Sequence, residues 1–373
     1  MTSAELPFYL ASPASSPCLP VELLTQIVEE VSGDRDKLDY TTLRHLCLTS
    51  KSILPFARQA LYRDISITFR DADGAQYEDR AATENLTDFE RLFISSDGDR
   101  LQERLREAPH LAALTTGISL HIASIKESVH FLTSNAIRNI LATCPNITRF
   151  RTPGGSVLDD EAISLTEPFQ QSAPRLAHLH IGLFSEIVDL LAQLPTLKHL
   201  HLDKIQNDYG DSTMPALRRS YPFTLISLRW DIENLGSLFS SLLQASSASL
   251  VRLRCFPTVA SDLAPHLTAP STLTHLELAA NKPIFGDTCD SGILDALEAS
   301  PHLRTLRLSG VSWPLALISR LPTNLRVIYC DGSQTDDEML EWVLLEDPHV
   351  ALRRVVMEEG GSIELEERGA EHG

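Results

Sequence analysis

The sequence predicts an α/β chain in two parts: a small bundle of three helices, then a solenoid of parallel strands backed by helices. Three observations carry this. Residues 18–65 hold three short stretches with helical apolar spacing. Downstream, the leucine phrase L-x-x-L-x-L recurs ten times, and helix-spaced apolar residues stand between its copies. At 373 residues the chain is also longer than one compact core usually fills, so two domains or an elongated array are expected.

The helices come first. Residues 1–16, rich in Ser, Pro and Ala, read as a flexible leader without the charge or apolar run of a signal peptide. Pro20 suits a first helical position, where its missing N–H costs nothing. Leu24, Ile27, Val28 and Val31 then follow at i, i+3, i+4, i+7, and Ser32-Gly33 ends the helix. A second helix begins near Asp39-Tyr40-Thr41 and carries Leu43, Leu46 and Cys47; a third starts at Pro55 with Ala57, Ala60 and Leu61 on one side. Three short helices make a marginal core, so a partner surface or the adjoining solenoid is expected to complete it.

These residues resemble an F-box. Leu19-Pro20, Glu22-Leu23-Leu24 and Ile27 match its opening L-P-x-E-L-L-x-x-I pattern, and Leu46-Cys47 matches its later apolar-Cys pair. The continuation "LTSKSILPFARQALYRDISI" looks like the fungal F-box proteins in particular. The chain departs from the pattern in lacking the tryptophan common after the apolar-Cys pair, and in a longer first loop at 32–41. The resemblance implies a module at 17–63 that docks a Skp-family adaptor through Leu19, Pro20, Leu23, Leu24 and Ile27. The plainer reading is that these side chains only pack the helices together.

Residues 64–108 form a connector. "DISITF" alternates Ile65, Ile67 and Phe69 and reads as a strand that caps the solenoid; "RDADGAQYEDRAATENLTD" reads as an exposed loop; "DRLQERLREAP" reads as a helix. The phrase copies then begin at Leu111, Ile147, Leu176, Leu197, Leu225, Leu250, Leu273, Leu303, Leu325 and Leu352, spaced 21 to 36 residues apart. Positions one and four are apolar throughout, and position six fails only at Thr116 and Thr152. Between copies, Ile137, Ile140, Leu141 and Cys144 make one apolar helical stripe. So do Ile187, Leu190, Leu191 and Leu194, and again Leu235, Leu238, Phe239 and Leu242. Residues 109–359 resemble the leucine-rich repeats, with one departure. The family's Asn three residues after position six occurs only as Asn281. Residues 360–373 read as an acidic tail.

In a strand, positions three and five point away from positions four and six. The resemblance places that outward pair on a concave face. Its twenty residues include seven Arg, five His and one acid, in a chain where acids outnumber bases 50 to 32. The candidate substrate-binding residues are therefore Arg149, Arg151, His178, His180, His199, His201, Arg229, Arg252 and Arg254, suited to an acidic or phosphorylated segment held by Arg forks. Position seven opposes them with Asp203, Asp231, Asp331 and Glu358. A solvated face whose cations pair with that rim is an equally weighted expectation. If the histidines charge near their reference value of about 6.5, binding should tighten from about pH 7.5 to 6.

Other chemistries find little support. The net charge of −18 repels nucleic acid and anionic lipid. No apolar run reaches membrane-spanning length. Six scattered cysteines give neither a disulfide framework nor a zinc ribbon, which with the missing signal points to a cytoplasmic or nuclear protein. Cys255 and Cys330, at sixth positions, should be buried and inert. The four histidines at 178, 180, 199 and 201 offer metal-binding nitrogens, but no carboxylate shares positions three and five with them. No metal or other cofactor is expected. "TPGGSV" lacks a flanking Lys, and no nucleophile elbow, phosphate loop or H-E-x-x-H is present, so no enzyme is expected. The resemblances together imply a substrate receptor of a Skp–cullin–F-box ubiquitin ligase, with a protein substrate on the repeats. The alternative is a leucine-rich scaffold without a ligase role.

Overall fold

The computed structural model describes residues 19–32, 40–70, 103–123, 138–152, 169, 175–182, 187–203, 221–232, 237–256, 272–284, 295, 297–298, 300–311, 321–331, 354–357 and 362–364. The chain divides into two compact units, Met1–Ile65 and Ser66–Gly373. The predicted exposed loop after residue 70, the Ser/Pro leader, Ile137 and Leu235 lie outside the described residues.

The first unit holds helices α1 (Val21–Ser32), α2 (Tyr40–Thr49) and α3 (Leu54–Arg63). Pro20 precedes α1, and its carbonyl accepts the Leu24 N–H at 3.1 Å, so the first turn closes on it. Pro55 occupies the first turn of α3, where no N–H is required. Leu24, Val28, Leu43, Ile53, Ala57 and Ala60 form one core, with Val31, Leu46, Cys47, Phe56 and Leu61 packed on it. The alanines are what let helices this short approach closely.

The second unit is an α/β solenoid. Strand β1 (Asp64–Arg70) opens a twelve-stranded sheet whose spatial order is the chain order. Helix α4 (Pro109–Ala112) and β2 (Gly117–Ala123) follow, then β3 (Arg149–Arg151), β4 (His178–Gly182), α5 (Ile187–Leu191), β5 (His199–Asp203) and β6 (Ser227–Asp231). Next come α6 (Ser237–Ser246), β7 (Arg252–Cys255), β8 (His275–Ile284), β9 (Thr305–Val311), β10 (Val327–Asp331), β11 (Arg354–Met357) and β12 (Ser362–Glu364). Strands β2 to β11 pair in parallel, each beside the next. A parallel neighbour needs a crossover, and the inter-strand segments supply it.

Register follows the leucines. Leu179, Leu200, Leu228, Leu253, Leu276, Leu306 and Ile328, all at position four, align in one row and are buried. Position six adds Ile181, Leu202, Trp230, Cys255, Leu278 and Leu308, also buried. The inter-strand stripes close the other side of this core: Ile187, Leu190, Leu191 and Leu194 are buried, and Phe239 of α6 meets Trp230 of β6 with ring centroids 5.0 Å apart. Phe169 meets Phe150 of β3 edge-on at 4.8 Å.

The first copy departs from the predicted frame. Gly117 and Ile118 pair with Arg149 and Phe150, so position one of this copy is Thr115, four residues beyond Leu111. Thr115 is fully buried in the place other copies give to Leu or Ile, while Leu111 sits in α4. The outward residues here are Gly117 and Ser119 in place of Ala113 and Thr115. At the other end, Ser362–Glu364 pairs antiparallel with β11, so part of the predicted acidic tail belongs to the sheet.

The leucine-rich Asn is largely absent, and Asn281 stands inside β8. A polar residue just before position one takes over part of its work. Thr196 Oγ1 donates to the Leu176 carbonyl at 2.9 Å, Ser249 Oγ to Leu225 at 2.8 Å and Thr272 Oγ1 to Leu250 at 2.9 Å. Asn146 and Asn324 reach the Ala113 and Pro301 carbonyls, each at 2.8 Å. Each bond ties one unit to the unit before it and satisfies a carbonyl at the turn.

Candidate functional site

Two surfaces hold the predicted residues, one on each unit. On α1 the side chains divide by a single residue of phase. Leu24 and Val28 turn into the helical core, at 7% and 4% exposure. Leu23 and Ile27, one position earlier in the same i, i+4 rhythm, are 45% and 38% exposed. Leu19 and Pro20 are exposed as well. Leu24, expected as a partner contact, lies in the helical core, because the helix turns about 100° between neighbours. Val21 and Leu48 are also exposed, and neither was among the predicted contacts. These five (Leu19, Val21, Leu23, Ile27, Leu48) are the large apolar side chains left exposed among the described residues. Leu48 was foreseeable: it lies outside the stripe formed by Leu43, Leu46 and Cys47.

On the solenoid the outward positions form two rows. Position three runs Arg149, His178, His199, Ser227, Arg252, His275, Thr305 in register, and position five runs Arg151, His180, His201, Arg229, Arg254, Glu277, Arg307. In-register strands stack like side chains about 4.8 Å apart. The imidazoles of His178 and His199 lie parallel at 4.1 Å, and those of His180 and His201 at 3.6 Å.

The fifth row is largely spent on its own acids. Asp203 accepts from His180 Nε2 at 2.5 Å and lies 2.6 Å from His201 Nε2. Asp231, beside Asp203 across the β5–β6 ladder, lies 3.0 Å from His201 Nε2 and takes Arg229 Nε at 2.6 Å and Arg254 Nε at 3.1 Å. Arg254 Nη1 also donates to Glu277 Oε1 at 2.8 Å, and Arg307 Nε lies 3.7 Å from that oxygen. The guanidinium of Arg307 also sits 5.9 Å above the Tyr329 ring. One chain of hydrogen bonds and ion pairs therefore crosses strands β4 to β9. The rim pairing expected from position seven is present at Asp203 and Asp231; the side chains of Asp331 and Glu358 lie outside the described residues.

The third row differs. It holds no acid, and exposed Arg252 makes no ion pair among the described residues. Arg149 is half-buried and Arg151, in the fifth row, is exposed.

Electrostatics follow from these neighbours. Burial favours neutral His180, outweighing its bond to Asp203, and holds its pKa below the usual histidine value. Burial, then the charge of Arg252, does the same for His199 and for His275. Burial thus keeps His180 and His199 neutral to a lower pH than the reference value gives, so any charge they add to this face comes at lower pH than expected. Burial alone would raise the Asp203 carboxyl, but hydrogen bonds from His180 and His201 overcome it and hold that group well below the carboxylate range. Asp231 is lowered against the same burial by His201, Arg229 and Arg254.

Burial raises the thiol pKa of each described cysteine side chain, Cys47, Cys144 and Cys255. Cys255 is fully buried and its thiol is pushed up by burial and by Asp231. Burial pushes the Cys144 thiol up to about 11. The side chain of Cys330 lies outside the described residues. No described helix is long and apolar enough to cross a membrane.

No family model and no curated protein matches the chain. Among solved structures, an internalin from Listeria monocytogenes is similar over 74% of this chain and 93% of that chain, at 17% identity and a TM-score of 0.31. A likeness of that size carries no argument, and the solenoid assignment rests on the sheet order and register above.

Proposed function

We propose that this chain is a binding protein, the substrate receptor of a Skp–cullin–F-box ubiquitin ligase, and that it performs no catalysis itself. Its helical unit docks a Skp-family adaptor that links it to the cullin complex, and its solenoid holds a protein substrate with acidic or phosphorylated side chains. The observation that carries the reading is the division on α1. Leu24 and Val28 suffice for the internal core, yet Leu19, Val21, Leu23 and Ile27 remain exposed beside them. Exposed large apolar side chains gathered on one small module are the mark of a partner surface. The pattern that resembles an F-box supplies the kind of partner.

On the solenoid, the third row suits an acidic segment better than the fifth, because the fifth already holds its own acids. Arg252 is the principal free fork, and Arg229 and Arg254 serve mainly to hold the face together. Co-expression with a Skp-family adaptor tests the adaptor half. The full chain should retain the adaptor through purification, and Leu23→Asp with Ile27→Asp should release it while the fold persists. Failure of the unaltered chain to retain any adaptor would leave a scaffold without a ligase role.

A further inference from the structure

We propose that His180, His201 and Asp203 form a binding site for a divalent transition metal, with zinc the ion best suited to the donor set. The three offer ligand atoms that all lie within 4.8 Å of one another. Their arrangement is imposed by the sheet. His180 and His201 are register partners on β4 and β5, and Asp203 follows His201 by two residues, so all three project from one face. The two imidazoles stack at 3.6 Å and 19°, and both turn the same nitrogen, Nε2, toward one carboxylate. They reach different oxygens of it, His180 the Oδ2 and His201 the Oδ1. No carboxylate stands beside these histidines at positions three and five, and position seven of β5 supplies one.

Two imidazole nitrogens and one carboxylate oxygen suit zinc and its first-row neighbours, whereas calcium and magnesium prefer oxygen throughout. Tetrahedral zinc with bonds of about 2.0–2.2 Å separates its ligand atoms by roughly 3.3 Å. The nitrogens now lie 2.5 and 2.6 Å from the carboxylate, so side-chain rotation of under about 1 Å would admit the ion without moving the strands. Coordination through Nε2 takes each imidazole in the tautomer that keeps its proton on Nδ1. Asp231 lies 3.0 Å from His201 but is engaged by Arg229 and Arg254, which leaves it as a neighbouring charge. Three protein ligands leave a fourth position for water or for a carboxylate of a bound segment. All three ligands retain some exposure, so that position has access from solvent.

The test uses the full chain, freed of metal by a chelator and titrated with zinc against a chromophoric competitor. One equivalent should bind with a dissociation constant of about 1 μM or tighter, and cobalt in its place should give the visible absorption of a tetrahedral nitrogen–oxygen site. His180→Gln and His201→Gln should each weaken binding at least about tenfold and abolish the cobalt spectrum. His199→Gln removes a stacked imidazole that has no carboxylate bonded to it among the described residues, and it should leave both readouts unchanged. Both ligand variants sit at part-exposed positions, and their folding is checked by the far-UV spectrum. Absence of stoichiometric binding, binding that survives His201→Gln, or an equal loss in His199→Gln would overturn the proposal and leave a hydrogen-bonded triad.

Discussion

The helical unit and the solenoid dispose of their apolar side chains in opposite ways. In the solenoid the described leucines of positions one, four and six are buried, and positions three and five of β3 to β9 hold charge, imidazole or hydroxyl groups. In the helical unit a core of six residues coexists with five large apolar side chains left exposed, Leu48 at 85%. A repeat array can bury everything because every unit has a neighbour to seal it. Three short helices enclose a smaller core, and Leu19, Val21, Leu23, Ile27 and Leu48 stay outside it. The outward face of the solenoid repeats the contrast in polar terms. Its fifth row pairs largely with its own acids, and its third row leaves Arg252 exposed without an ion pair among the described residues.

Changes to the comparison rank by expected effect. The largest is Leu24→Asp, which buries an unpaired carboxylate among Val28, Leu43 and Ala57 and should cost about 4 kcal/mol or more. The helical unit should unfold, seen as rapid proteolysis within the first 65 residues, while the sheet stays resistant. If that unit survives, its core has been misplaced.

Asp231→Asn comes next. The carboxylate is shared by His201, Arg229 and Arg254, so its loss should cost about 1.5–3 kcal/mol in denaturant unfolding. Arg252→Gln, with no ion pair to lose among the described residues, should stay within about 0.5 kcal/mol. Its effect should fall on recovery of an acidic partner and on titration, since removing its charge should raise the pKa of both His199 and His275 in NMR titrations. Equal stability losses from the two changes would erase the distinction between the rows.

A smaller effect concerns pH, measured with chelator present. His180, His199 and His275 have folded pKa values lowered from 6.5, so below about that pH the folded chain binds fewer protons than the unfolded one. Stability should therefore fall as pH drops from 7 through 6.5 toward 5. A further loss should come below 3.8, where Asp203 and Asp231, also lowered, must be protonated on unfolding. A midpoint that rises between pH 7 and 5 would contradict this.

Much of the solenoid was legible in the sequence because burial and chemistry coincide there. Leu176, Leu225, Leu303 and Leu325 are fully buried at position one, and a leucine every turn of the array leaves few alternative frames. The first copy misled because "LAALTT" imitates the phrase from the end of α4 onward, while buried Thr115 within it takes the true position one. The outward face of α1 was harder. Leu23 and Leu24 are chemically alike, and only the packing of α2 and α3 decides which one turns in. The Asp203 cluster needed the register itself, because His180 and its carboxylate stand 23 residues apart and meet only across β4 and β5.

The central claim is that the exposed α1 stripe, and not the core beneath it, takes a Skp-family adaptor. Hydrogen exchange of the full chain with and without the purified adaptor tests it most directly. The account predicts added protection over residues 19–31 on binding, unchanged exchange in β4 to β7, and loss of that protection in Leu23→Asp with Ile27→Asp although the free variant exchanges like the original. Stoichiometric binding that protects only the solenoid strands, or protection of α1 that persists in the double variant, would contradict it.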